Sequence, residues 1–96
     1  MDFNSLRPGM ILTATGAVTE NLLIIKQKLN DTVKYDHHIV MGQKGVGGPY
    51  YNVLLNRETT AKSWRTRGLI FVNSKIASRK TYHFFIKSMW ELPIKQ

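Results

Sequence analysis

Ninety-six residues is the length of one domain, near the size at which a single hydrophobic core holds without disulfides or metal. An apolar fraction of 43% with 21% charged residues excludes a disordered tail, and the lack of cysteine excludes a disulfide scaffold, cysteine-ligated zinc and a cysteine nucleophile. The formal charge of +8 is uneven: residues 1–48 hold five Lys/Arg against four acids, residues 49–96 nine against two, an asymmetry suited to nucleic acid, an anionic surface or an acidic protein.

Asp2, Arg7 and Pro8 interrupt the opening residues, so no secretory signal is expected. The longest aliphatic run, Leu22 to Ile25, is too short for a membrane span, and the expected location is the cytoplasm. Pro8-Gly9 signals a turn, and Met10 to Thr15 follows as a first strand that Gly16 ends. From Ala17 to Asp31 two readings compete. Val18, Leu22, Ile25 and Leu29 lie at helical spacing, with Glu20 in the first turn and Lys26 and Lys28 near the end. The run Leu22-Leu23-Ile24-Ile25 also suits a buried strand. The expectation is an amphipathic helix closed by Asn30-Asp31.

Val33 to Asn56 reads as strand, glycine-rich turn, strand. Val33, Tyr35, His37, Ile39 and Met41 alternate with Thr32, Lys34, Asp36, His38 and Val40, and Tyr51, Val53 and Leu55 resume the alternation after the glycines. Arg57 to Thr66 has helical character, with Asn56 as expected N-cap and Trp64 as anchor. Gly68 breaks it, and Leu69 to Asn73 is expected to be a core strand. Ser74 to Lys80 is a polar connection, and Thr81 to Trp90 is expected to be the last strand. The fold class is therefore α+β: a small single domain over residues 1–96, with about five mostly antiparallel strands in a twisted sheet or partly open barrel and one or two helices.

In that last strand Tyr82, Phe84 and Ile86 take the core side, and Arg79, Thr81, His83, Phe85 and Lys87 the outer one. An outward row mixing cations with a ring is how sheet platforms hold single strands, the base stacking while Lys/Arg neutralise phosphate. Arg57, Lys62, Arg65, Arg67, Lys75, Arg79, Lys80 and Lys87 form the supporting set and are expected side by side on one surface, with Phe85, Tyr50 or Trp64 as the stacking ring. Burial of Phe85 under a helix is the competing account. The primary functional expectation is a non-enzymatic module that binds single-stranded or structured nucleic acid. An acidic protein surface, docked as inhibitor or assembly subunit, is the alternative partner, since the same cations serve either. Oligomeric state is left open.

The loop Gly42-Gln43-Lys44-Gly45-Val46-Gly47-Gly48 offers Lys44, Gly47 and Gly48 as an anion cradle, although no Gly-Lys-Ser/Thr opens a helix as in a Walker motif. A hairpin tip is the plainer account.

Asp36-His37-His38, then Gly47-Gly48, Asn52, Arg57-Glu58 and Lys62 resemble the ββα-metal core of HNH endonucleases over residues 36–62. The resemblance implies Asp36 as acidic ligand, His37 or His38 as general base and Asn52 as the residue tying the loop, with one divalent ion at the leaving oxygen. The position that bears His or Asn in that family falls here among Thr59, Thr60 and Ala61, and Glu58 is the nearby carboxylate. No metal or other cofactor is therefore expected. A metal-free route would pair His37 or His38 with His83 as acid and base around one phosphate, helped by a cation such as Arg57. Without chemistry, His37 is a hydrogen-bonded core residue and His38 an exposed strand residue. Pro8 to Leu12 and Tyr35 to Gly42 also resemble papain-like lipid and peptidoglycan hydrolases, whose catalysis is excluded because no cysteine is present.

Overall fold

Pro8 and Gly9 make the first turn. Met10 N–H donates to Arg7 C=O at 3.2 Å, and Gly9 has φ +89°, the positive value that the third residue of a type II turn needs. The turn delivers β1 (Ile11–Thr15), followed by β2 (Thr19–Lys28), β3 (Thr32–Met41), β4 (Tyr50–Thr60), α1 (Ala61–Thr66), β5 (Lys75–Ile76) and α2 (Arg79–Trp90). The computed structural model describes residues 1–16, 19–42, 49–67 and 70–92. Its strands form one antiparallel sheet in the order β4-β3-β2-β1-β5, which with two helices is the expected α+β class.

Both faces of this sheet are covered at its centre. Leu12, Leu23, His37 and Leu54 stand opposite one another on one face; Thr13, Leu22, His38 and Val53 do so on the other. Leu22 and Leu23 are adjacent in a strand, point to opposite sides, and are both fully buried. The Leu23 side carries the main core, where Leu12, Leu23, Ile25, Val33 and Tyr35 meet Phe3, Leu6, Trp64 and Phe71. Trp64 sits 4.8 Å from Phe71 and 6.5 Å from Phe3 between ring centroids, both edge-on. Its indole N–H donates to Met1 C=O at 2.8 Å, so the polar end of the ring is satisfied. The cleft beside α2 is lined by residues 13–15 of β1 and residues 20–21 of β2, with Thr81, Phe84 and Phe85. Leu22 and Met89 are both fully buried yet neither belongs to that main core cluster, and on that basis we assign α2 to the Leu22 face.

Four expected elements differ. The segment read as a helix over 17–31 contains β2, because an aliphatic run covered on both faces satisfies a central strand; Leu29, required by the helical stripe, is 46% exposed. The helix expected from Arg57 starts later. β4 continues to Thr60, whose hydroxyl accepts the Ser63 N–H at 3.1 Å and so replaces Asn56 as the N-cap. The strand expected at 69–73 is a turn over residues 70–73 that inserts Phe71 into the core, while Leu69 lies outside the described residues. Thr81 to Trp90 belongs to α2. Ser78 caps that helix, its hydroxyl accepting the Thr81 N–H at 3.2 Å, and Tyr82, Phe85, Ile86 and Met89 form its inner stripe.

Two bulges meet at the middle of β3. Lys26 is the extra residue of β2 between the pairs Ile25–Tyr35 and Gln27–Lys34. On β4, Leu55 and Asn56 together face Asp36 between the pairs Leu54–His37 and Arg57–Tyr35. Asn56 takes φ +54°, a left-handed conformation that Asn tolerates better than most residues. Asp36 ties both bulges: Oδ1 accepts the Asn56 N–H at 2.9 Å, and Oδ2 lies 3.3 Å from Lys26 Nζ.

Candidate nucleic-acid interface and the histidine strand

The helix at Arg79–Trp90 re-sorts the residues expected to bind nucleic acid. At 100° per residue, Tyr82, Phe85, Ile86 and Met89 point inward, and Lys80, His83, Phe84, Lys87 and Trp90 point outward. Exposure follows this division: Phe85 is half-buried, whereas Phe84 is 73% and Trp90 80% exposed. The expected strand row of Arg79, Thr81, His83, Phe85 and Lys87 therefore does not form: the helix turns Phe85 inward and sets Phe84 and Trp90 beside Lys80 and Lys87 instead. Trp64, also expected to offer stacking, is fully buried in the core. Lys80 and Lys87 lie along the middle of the outer helix face, Phe84 and Trp90 flank them, and Glu91 at the C-cap follows Lys87 by one turn on the same face.

The eight cations expected on one surface fall into two groups. Lys75 lies in the edge strand β5, and Arg79, Lys80 and Lys87 lie on α2, which follows it and borders β1 and β2. Arg57 in β4, Lys62 and Arg65 in α1, and Arg67 at its C-cap belong to the opposite edge. The sheet separates them, because β4 and β5 are its two outermost strands. All six carboxylate side chains lie within the described residues, yet the ion pair among those residues is Lys26–Asp36 alone. The loop residues Lys44, Gly47 and Gly48 lie outside the described residues.

The histidines occupy separate environments. Asn21 Nδ2 donates to Ala14 C=O at 3.3 Å and Thr19 Oγ1 at 3.2 Å, which turns Asn21 Oδ1 toward His37 Nε2 at 2.7 Å. His37 is thus the donor, protonated on Nε2. Burial, reinforced by the charges of His38 and Arg57, lowers its pKa from 6.5 to about 4, so the ring is neutral at neutral pH. His38 points to the other face, where its Nδ1 and the Tyr51 hydroxyl are 3.0 Å apart and the two rings lie within 4° of parallel. Burial lowers the His38 pKa, with Asp36 opposing, and raises that of Tyr51. His83 stands apart on α2, its ring 5.4 Å from Tyr82.

β3, β4 and α1 do follow one another as hairpin and helix, the order the HNH resemblance implies. Asp36, however, is engaged by Lys26 and the Asn56 N–H, Asn52 pairs with Ile39 inside the ladder, and Glu58 lies in β4 opposite Lys34. Among the described residues no three His, Asp or Glu side chains gather as metal ligands. Phe84 and Trp90 were missed as surface residues because alternation was read where helical periodicity operates. The Ser78-x-x-Thr81 cap was the signal that distinguishes the two. Compared with known proteins, the chain matches no family model, no curated protein and no solved structure.

Proposed function

We propose that the chain is a nucleic-acid-binding module whose contact surface is the outer face of α2. The observation that carries this reading is the pairing of two solvent-exposed rings, Phe84 and Trp90, with Lys80 and Lys87 on the outer face of one helix, where Glu91 at the C-cap is the single acidic neighbour on the helix itself. Exposed rings gain little from water but about 1–3 kcal/mol per base by stacking, and the adjacent ammonium groups neutralise the phosphates linking those bases. Arg79 and Lys75 extend the basic strip toward the sheet edge. Single strands suit it best, since their bases are free to stack.

Binding to an unstructured oligonucleotide is expected to weaken linearly in log salt, with a slope of roughly −0.7 per neutralised phosphate. Lys80→Gln and Lys87→Gln should each flatten that slope by about this amount, and Phe84→Ala or Trp90→Ala should cost about 1–3 kcal/mol at fixed salt. Affinity indifferent to both rings and to salt rejects the reading. The same rings and cations suit an acidic protein surface, because aromatic and basic side chains dominate such contacts. Capture of a protein that persists after nuclease treatment, without oligonucleotide binding by the purified chain, selects that reading instead.

A further inference from the structure

We propose that Arg57 and Arg67, which flank the packed ring pair Tyr35–Phe71, form a binding site for a phosphoryl oxyanion on the face of the sheet opposite α2. Arg57 pairs directly with Tyr35 across the β3–β4 ladder. Arg67 leaves the C-terminus of α1 with its guanidinium 5.9 Å from the centre of the Phe71 ring, and that ring packs edge-on against Tyr35 at 5.7 Å. Arg57 thus neighbours Tyr35 directly, and Arg67 stands over the ring that packs against it. Burial raises the Tyr35 pKa, while the positive fields of Arg67 and then Arg57 act against it.

Among the described residues nothing acidic answers these charges. Glu58 is next to Arg57 in sequence, but strand alternation turns it to the other face opposite Lys34. Neither arginine is within ion-pair distance of any of the six carboxylate side chains, all of them described. Below them lies an apolar floor of Tyr35, Phe71 and Trp64, each buried. A floor of this kind reduces solvent screening from one side and strengthens the pull of both guanidiniums on an anion. Two planar forks with a phenolic donor match the tetrahedral, multiply accepting oxygens of a phosphoryl group. The site is independent of the α2 surface, sharing neither residues nor face with it.

Titration calorimetry with inorganic phosphate, at ionic strength held near 0.15 M with NaCl, tests the proposal. Saturable binding is expected, and Arg57→Gln and Arg67→Gln should each weaken it by about tenfold, one hydrogen-bonded charge contact's worth. Both side chains are exposed, so the variants should unfold at the parent's temperature, and Lys75→Gln at the far sheet edge should bind as the parent does. Bound phosphate should also move the ionisation of Tyr35, followed by phenolate absorbance, to higher pH in the unaltered chain. Absence of saturable heat, or a double arginine variant that binds like the parent, overturns the site. Competition by a 5′-phosphorylated oligonucleotide but not its 5′-hydroxyl counterpart assigns the phosphoryl group to a nucleic-acid end; competition by neither assigns it to free phosphate. Phosphate binding that survives Phe84→Ala and Trp90→Ala separates this site from the fate of the α2 reading.

Discussion

His37 shows how one buried side chain ties the fold to pH. Its Nε2–H is fixed by Asn21, and the remaining ring nitrogen must gain a proton if the residue is to charge inside the sheet. The folded pKa of about 4 lies below the ordinary 6.5, so between these values the unfolded chain holds the extra proton and folding is opposed. Stability from this residue is therefore complete above about pH 6.5 and lost as the pH falls toward 4. The interval corresponds to roughly 3 kcal/mol at 1.36 kcal/mol per pH unit. Urea unfolding of the parent and of His37→Gln, at neutral pH and at about pH 4, isolates the contribution from that of the carboxylates. The stability advantage of the parent should shrink by roughly 3 kcal/mol on acidification. A difference independent of pH shows that the imidazole stays unperturbed in the folded state.

Among the elements, α2 depends most on a single local signal. Tyr82, Phe84 and Ile86 fit a strand, and Tyr82, Phe85, Ile86 and Met89 fit a helix, so the apolar pattern of this stretch does not discriminate. The Ser78 hydroxyl does, by supplying the acceptor that the first turn lacks. Ser78→Ala is expected to lower stability by about 1 kcal/mol, and Ser78→Asp to restore it, because a carboxylate also caps and favours the helix N-terminus. Equal stability of all three proteins in urea would show that the cap does not hold this helix. The same contrast explains what could be read in advance. The β3–β4 hairpin was legible because alternation from Val33 to Met41 has no helical rival, and the Pro8-Gly9 turn because its backbone demands glycine. β2 was obscured by the chance helical spacing of Leu22, Ile25 and Leu29. The bulges at Lys26 and Asn56 were invisible, since an extra residue in a ladder is set by strand pairing and leaves no local pattern. The candidate surface was half legible: its cations and aromatic character were visible, but the identity of the exposed rings required the element type.

Across the whole molecule, charge is the property that fold and proposed function share. A formal +8 is spread over a body of 42 × 26 × 21 Å, with one ion pair among the described residues. At about 0.01 M salt the Debye length is near 30 Å, comparable to the longest dimension, so the cations of both sheet edges repel one another through the folded body. At about 0.15 M it falls to roughly 8 Å, less than the width of the sheet, and only charges that are near neighbours still interact. The folded state, which concentrates the charge, gains more from screening than the expanded unfolded chain. Thermal unfolding without ligand is thus expected to move up by a few degrees between these salt concentrations, since about 1 kcal/mol corresponds to roughly 4–8 °C for a domain of this size. Oligonucleotide affinity should fall over the same range, because added salt opposes the counterion release that drives binding. Opposite responses of stability and affinity in one buffer series are the signature of cations left unpaired for a polyanion. A melting temperature that falls with NaCl would mean that attractions within the chain dominate its electrostatics, and the polyanion reading would lose its physical basis.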